Sequence, residues 1–85
     1  MARPLLQIAL DNNTLSDALK SISLVGNEVD VIEAGTILCL AEGMEAVRCL
    51  RALYPNKIIL ADTKCADAGT TVAKNCADAG ANWMT

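Results

Sequence analysis

Three short apolar segments, separated by stretches with helical periodicity, constrain the fold of this 85-residue chain more than any other feature. Each segment is rich in Leu, Ile or Val and carries charge near its end; the segments are residues 5–11, 29–35 and 58–64. Apolar runs of this length are typical of strands that are buried on both faces of a parallel sheet. A fourth strand is expected to begin at residues 82–85.

The stretches between the strands show the periodicity of amphipathic helices. In the first stretch Thr14 is a predicted N-cap, apolar residues follow at spacings of three and four, and Gly26 ends the helix. A second helix is expected over about residues 42–53 and a third over about 68–79, with Gly80 as its C-terminal cap. The inward positions of the last two helices are predicted to be Ala46, Val47, Leu50, Leu53, Val72, Ala73, Cys76 and Ala77.

The resulting order is strand and helix three times over, followed by the start of a fourth strand. Such alternation favours parallel strands joined by right-handed helical crossovers, and it predicts one α/β domain over residues 1–85. The pattern leaves open whether the sheet is doubly wound or belongs to a closed barrel. A flavodoxin-like binding domain is disfavoured because residues 11–14 contain no glycine for close approach to a phosphate.

The composition argues against several classes of function. The formal net charge is −3 and no basic patch is present, so nucleic-acid binding has no support. No apolar stretch approaches about 18 residues, so we expect a cytoplasmic protein without membrane association. The four cysteines form no close pair and histidine is absent, which argues against zinc. We expect reduced cysteines that pack as small apolar residues, with one disulfide bridge as the alternative.

Acidic residues fall near the carboxyl ends of the three predicted strands, at Asp11, Glu33 and Asp62. Ligands of parallel α/β folds bind outside these ends. Lys64 lies two residues beyond Asp62, and because side chains alternate along a strand, both are expected to point to the same side. Clustered carboxylates raise one another's pKa values unless a cation compensates, and Mg²⁺ suits one or two carboxylates. One such acid alone is more commonly a helix cap or a solvated residue, but three in succession favour a site.

The segment DTKCAD, at residues 62–67, contains a DxKxxD motif. Together with LLQIALD at 5–11, VDVIEAGTILC at 29–39 and ILADTKCADAG at 59–69, it resembles the orotidine-5′-monophosphate decarboxylase superfamily. Within that superfamily the likeness is to the 3-keto-L-gulonate 6-phosphate decarboxylase family, and it extends over essentially the whole chain. The resemblance implies the N-terminal part of a TIM (β/α)₈ barrel, from the first strand to the start of the fourth.

The resemblance also implies roles for five residues. Glu33 and Asp62 would bind Mg²⁺, and Lys64 would stabilise an enediolate intermediate. Asp11 would contact substrate beside Lys64, and Asp67 would reach into the active site of the partner subunit of a homodimer. The implied reaction is the decarboxylation of 3-keto-L-gulonate 6-phosphate to L-xylulose 5-phosphate in L-ascorbate breakdown. The 3-hexulose-6-phosphate synthases, aldol-type lyases with the same motif, are the alternative.

A complete barrel has roughly 200 residues or more, and its phosphate-binding loops follow strands seven and eight. By this comparison the chain would lack the residues that bind phosphate and deliver a proton, and by itself it would be inactive. It would then be a natural fragment, a truncated sequence or an engineered piece of a barrel, and a non-catalytic folding or assembly module is a further hypothesis. Because a partial sheet has unpaired edges, self-association of such a piece is expected.

Overall fold

The computed structural model describes residues 3–85, which form one sheet and the helices that connect its strands. The strands are β1 (Gln7–Leu10), β2 (Val31–Ala34), β3 (Ile58–Ala61) and β4 (Trp83–Met84). The helices are α1 (Leu15–Val25), α2 (Thr36–Glu42), α3 (Glu45–Leu53) and α4 (Gly69–Ala79). The strand order β1-β2-β3-β4 follows the chain, and each neighbouring pair is parallel. The predicted parallel α/β fold is therefore confirmed.

The register of the strands divides their side chains between two faces of the sheet. Ala9, Glu33 and Leu60 are partners in neighbouring strands, so their side chains share one face. The residues next to them along each strand point to the opposite face, against the helices. That opposite face supplies the sheet's part of the core, namely Leu10, Ile32, Ala34, Ile59 and Ala61. Glu33 thus lies on the side of the sheet away from the helices.

Helix α1 begins and ends at the residues that its capping pattern predicts. The Thr14 hydroxyl accepts a hydrogen bond from the backbone N–H of Asp17 at 3.1 Å. At the other end the N–H of Gly26 donates to the carbonyl of Ile22 at 2.7 Å. Ala18 and Ile22 are buried in the core. An N-cap of this kind typically contributes about 1 kcal/mol, so local sequence suffices to set the start of this helix.

The predicted second helix, over residues 42–53, is wrong in its first part. Two helices, α2 and α3, occupy the region, and Gly43 separates them with a left-handed φ of 67°. The apolar residues of α2 are not confined to one helical face, so the sequence pattern does not indicate this helix. Two of them, Ile37 and Leu40, are 48% and 82% exposed in the structure. Helix α3 begins only at Glu45.

The predicted inward faces of α3 and α4 are partly wrong. Leu53, at the end of α3, is 57% exposed. In α4 Ala73 and Ala77 are exposed, whereas Ala79 is buried. Alanine is compatible with either face of a helix, so its spacing cannot identify the buried stripe. The other predicted inward residues are buried or packed against the core: Ala46, Val47, Leu50, Val72 and Cys76.

The cysteines of the chain carry free thiols in two environments. Cys39 and Cys76 are buried, while Cys49 and Cys65 are partly exposed. Burial raises the pKa of the Cys39 thiol to about 11, so this thiol is neutral at physiological pH. The prediction of cysteines that pack as small apolar residues is confirmed for the two buried ones.

Across residues 3–85 the helices are all too short or too polar to cross a membrane.

Candidate active site

The backbone hydrogen bonds of the sheet continue for one residue beyond strands β2, β3 and β4. The N–H groups of Gly35, Asp62 and Thr85 each donate to a carbonyl of the preceding strand at 3.0 Å. The three residues therefore form a row at the carboxyl edge of the sheet. Because Asp62 lies two positions beyond Leu60, its side chain emerges on the face that carries Glu33.

Asp62 and Lys64 form an ion pair at this edge. Lys64 Nζ lies 3.0 Å from Asp62 Oδ2 and 3.3 Å from Oδ1. The hydroxyl of Thr85 donates to Asp62 Oδ1 at 2.8 Å. The hydrogen bond from Thr85, and after it the one from Lys64, lowers the pKa of Asp62 to about 2. The Asp62 side chain is 17% exposed and that of Lys64 is 70% exposed, so an ionised acid holds an ammonium group that solvent or substrate can reach.

The predicted juxtaposition of Asp62 and Lys64 is confirmed, but Lys64 lies in the loop after β3 rather than in the strand. Strand β3 ends at Ala61, and Lys64 has a left-handed φ of 48°. A residue with a Cβ in this region costs about 1 kcal/mol or more. Backbone strain of this kind concentrates at functional sites, and here it occurs at the lysine that pairs with Asp62.

Glu33 lies in β2, one residue before its end, and is partly buried. Its Oε1 accepts a hydrogen bond from Gln7 Nε2 at 2.6 Å. Burial is the main cause of a raised pKa of Glu33, the neighbouring carboxylate of Asp62 is the next, and the charge of Asp11 adds to both. The three acids predicted from the sequence thus come close enough to influence one another electrostatically.

Asp11 directly follows β1, and its carboxylate lies against the backbone of Gly35. A Cβ on Gly35 would overlap Asp11 Oδ1, and it would lie 2.8 Å from both Asp11 Cγ and the carbonyl oxygen of Leu10. Only glycine therefore leaves room for the carboxylate beside β2. This close approach explains why the acid after β1 lies next to the strand that carries Glu33.

Among the described residues, Asp67 forms no hydrogen bond with the other predicted site residues. It is exposed in the loop between β3 and α4, where its Oδ1 accepts a hydrogen bond from the N–H of Ala68 at 2.7 Å. Ala68 has a left-handed φ of 55° and precedes the first residue of α4. No hydrogen bond joins Asp67 to Asp62 or Lys64 within residues 3–85. The structure therefore does not bring Asp67 into the cluster of this subunit.

The acids fit a magnesium ion that is held by two carboxylates. In the described part of the chain, no three Asp, Glu, Cys or His side chains lie close enough to hold a metal by themselves. Mg²⁺ usually binds through one or two carboxylates and completes its octahedron with water and substrate oxygens. Burial is the main cause of the raised pKa of Glu33, and the charge of Asp62 is the next, so two carboxylates lie close together where such an ion would bind.

Three polar residues of the site were missed from the sequence: Gln7, Thr36 and Thr85. Gln7 and Thr85 donate to Glu33 and Asp62 as described above. The Thr36 hydroxyl is buried without a hydrogen-bond partner of normal geometry in residues 3–85, and its proximity also lowers the pKa of Asp62. Strand alternation could have identified Gln7, which lies on the same face of the first strand as Ala9. Behind the acids Thr36 borders a cavity of about 220 Å³ between α2 and α4, which is lined mainly by apolar residues.

Parallel strands in the order of the chain, joined by helical crossovers and with acids at the carboxyl edge, are typical of the class of (β/α) barrels. Solved barrels superpose closely on the chain. One is 3-keto-L-gulonate 6-phosphate decarboxylase (KGPDC) from Streptococcus mutans, solved in complex with a phosphorylated sugar. Its TM-score is 0.92 and its identity 62%, over 95% of this chain and 37% of its own. For 3-hexulose-6-phosphate synthase from Salmonella typhimurium the TM-score is 0.91 and the identity 38%, over 95% of this chain and 38% of its own. The predicted N-terminal part of a TIM barrel is therefore confirmed.

Sequence comparison identifies the family within that class. The Orotidine 5′-phosphate decarboxylase / HUMPS family matches residues 4–85. The 3-keto-L-gulonate-6-phosphate decarboxylase UlaD of Escherichia fergusonii is 54% identical over 85 residues, which are 100% of this chain and 39% of that protein. The chain belongs to the orotidine 5′-phosphate decarboxylase family, as its motifs predicted. It spans 39% of the length of the curated relatives it matches.

Proposed function

We propose that the full-length protein carrying this chain is a Mg²⁺-dependent carboxy-lyase that converts 3-keto-L-gulonate 6-phosphate to L-xylulose 5-phosphate. The observation that carries the proposal is the ion pair of Lys64 and Asp62 beside Glu33 at the carboxyl edge of the sheet. The names of the related decarboxylases support the choice of substrate, and the phosphorylated sugar bound to one relative supports a phosphosugar. Residues outside this chain would bind the phosphate and deliver the proton.

Loss of CO₂ from a β-keto acid leaves an electron pair on carbon, and the adjacent carbonyl delocalises it to form an enediolate. The ammonium group of Lys64 would stabilise that negative charge without reorganisation, because Asp62 already holds it in place through two contacts. Asp62 is ionised at neutral pH, since its pKa is about 2. It therefore orients the lysine while its own charge remains constant through the reaction.

Glu33 and Asp62 would hold the magnesium ion, and Asp11 would contact a substrate hydroxyl from the neighbouring strand. When bound, Mg²⁺ supplies Lewis-acid stabilisation of negative charge on substrate oxygen. Because Gly35 has no side chain, the Asp11 carboxylate can lie against its backbone at the mouth of the site.

Asp67 would act in the partner subunit of a homodimer. Its exposed carboxylate accepts a single hydrogen bond, from the following backbone N–H, which leaves it free to enter a second subunit. In the cell, the full-length protein would act in the cytoplasm in the breakdown of L-ascorbate.

The test is turnover by the full-length protein, measured as CO₂ release from 3-keto-L-gulonate 6-phosphate with Mg²⁺ and after chelation. We expect Lys64→Ala to lower kcat by at least about 10²-fold, the effect of removing one preorganised charge-stabilising group. Lys20→Ala is the matched control, because Lys20 is an exposed lysine on α1. Turnover by Lys64→Ala at the parent rate, or full activity without Mg²⁺, would contradict the proposal.

A second candidate is the aldol-type cleavage of 3-hexulose 6-phosphate. The superposition on a 3-hexulose-6-phosphate synthase favours it, although the identity of 38% is below the 62% of the decarboxylase. Both reactions would use Lys64 and the two acids in the same way. Parallel assays of the two substrates with one enzyme preparation separate the candidates by the ratio of kcat/KM.

A non-catalytic folding or assembly module is the remaining hypothesis. In that case the acids need not bind metal, and calorimetric titration with Mg²⁺ would give the same result for the parent protein and for Glu33→Gln. We expect instead that Glu33→Gln weakens binding, because it removes one of two charged ligands.

A further inference from the structure

We propose that Gln7 is a positioning residue that orients Glu33 and thereby raises the affinity of the acidic site for Mg²⁺. This inference rests on the proposed function, in which Glu33 is a metal ligand. Its starting point is the hydrogen bond of 2.6 Å from Gln7 Nε2 to Glu33 Oε1. Within residues 3–85 Gln7 is the one neutral group that donates a hydrogen bond to this carboxylate.

The strand register explains how Gln7 reaches Glu33. Gln7 pairs with Val31, and Ala9 pairs with Glu33, so Gln7 lies on the same face as Glu33 and one step away along the diagonal. Diagonal neighbours in a sheet are within reach only of long side chains. Ala9, directly opposite Glu33, carries a single methyl group and leaves space for the glutamine to extend over it.

The two acids of the site are held in different ways. Asp62 is short and receives hydrogen bonds from both Thr85 and Lys64. Glu33 has one more rotatable bond, and Gln7 is the neutral donor that restrains it. The hydrogen bond engages Oε1, and Oε2 accepts none from the described residues, so one oxygen remains available as a ligand.

The chemistry of an amide suits this task better than that of a charged group. A lysine or arginine would neutralise Glu33 and compete with a cation, whereas an acid would add to the repulsion that already raises the pKa of Glu33. An amide donates a hydrogen bond without changing the net charge. Gln7 is exposed, so its side chain contributes little to the core. Groups that hydrogen-bond to metal ligands typically change metal affinity by about 10–100-fold when they are removed.

The test is calorimetric titration of the full-length protein with MgCl₂. Gln7→Met keeps the length of the side chain but removes the donor, and we expect it to weaken Mg²⁺ binding by about 10-fold or more. Gln7→Asn keeps the amide but shortens its reach, and we expect a similar loss. Asn27→Met is the matched control, because Asn27 is exposed in the turn after α1, at the edge of the sheet opposite to the one that carries the acids. It should bind Mg²⁺ like the parent protein.

Two further readouts separate positioning from a general structural role. The melting temperature without Mg²⁺ should be the same for Gln7→Met and the parent protein. In turnover assays the Mg²⁺ concentration for half-maximal rate should rise by the same factor as the dissociation constant, while kcat at saturating Mg²⁺ is retained.

The outcomes distinguish this inference from the proposed function. Parent protein that binds Mg²⁺ through Glu33, together with Gln7→Met of equal affinity, overturns the role of Gln7 alone. Loss of affinity accompanied by a matching loss of Mg²⁺-free thermal stability overturns it as well, since the residue would then be structural. Parent protein that binds no Mg²⁺ overturns both the inference and the metal step of the proposed function.

Discussion

The side chain of Arg51 connects the end of α3 to the loops that precede β3 and β4, and its removal should destabilise the fold. Its guanidinium donates to the carbonyls of Gly80 at 2.8 Å and Lys57 at 2.9 Å, and more weakly to those of Pro55 and Tyr54 at 3.1 and 3.4 Å. It also donates to the side-chain oxygen of Asn82, which in turn accepts from the N–H of Ile59. One arginine therefore holds five acceptors from two segments, residues 54–57 and 80–82.

The magnitude follows from the two shortest partly buried bonds. A hydrogen bond from a charged donor contributes about 1.5–3 kcal/mol when it is shielded from water. Arg51 is only partly buried, so water would replace part of each bond, and we take about 1 kcal/mol for each of the two. The weaker bonds add a few tenths each. We therefore expect Arg51→Met, which keeps the packing of the stem, to lower the free energy of unfolding by about 2–3 kcal/mol.

Urea unfolding followed by circular dichroism measures this difference. Arg48→Met is the control, because Arg48 forms only an exposed i,i+3 pair with Glu45 and should change stability by less than about 0.5 kcal/mol. Arg51→Lys should lie between the parent and Arg51→Met, since an ammonium cannot span the same acceptors. Equal midpoints for Arg51→Met and Arg48→Met would refute the reasoning.

Two further predictions concern a terminal ion pair and the glycine of the site. The guanidinium of Arg3 donates two hydrogen bonds to the carboxylate of Asp30, from Nη2 to Oδ1 at 2.5 Å and from Nη1 to Oδ2 at 2.9 Å. Hydrogen bonding to Arg3 is the main cause that lowers the pKa of Asp30 from 3.8 to about 2. Because the folded state then binds fewer protons than the unfolded state, the pair should stabilise the protein above about pH 4 and lose its effect as the pH falls towards 2. A difference in unfolding free energy between the parent and Asp30→Asn that stays constant from pH 5 to 2 would contradict this. Gly35→Ala should displace the Asp11 carboxylate and raise the KM for substrate, and an unchanged KM would argue against Asp11 as a site residue.

Much of the fold could be predicted from local sequence because its determinants are local. Thr14 and Gly26 bound α1 through hydrogen bonds within the same helix, and Gly80 ends α4 with a left-handed φ of 106°. The strands were located but predicted too long. Asp11 and Asp62 directly follow the last residues of β1 and β3 rather than belonging to these strands.

The candidate site was predictable in its charged residues and less so in its neutral ones. Acids at strand ends stand out against apolar runs, and so does the DxKxxD motif. The motif and its neighbouring segments carried the family assignment, which the comparisons confirm. Strand alternation marks Gln7 but not its partner, and Thr85 has no such contrast, because a neutral polar residue at the surface is common and each partner lies elsewhere in the chain.

Local sequence sets the alternation of strands and helices, the caps of α1 and the positions of the acids, because each depends on residues a few positions apart. Which acids meet, and how they are held, depends on the tertiary structure. Lys64, in the loop after β3, contacts Asp62 with a left-handed backbone φ, Gln7 reaches Glu33 in the neighbouring strand, and α2 forms although Ile37 and Leu40 stay exposed. These features depend on strand register and backbone geometry, which bring together residues that are distant in the chain.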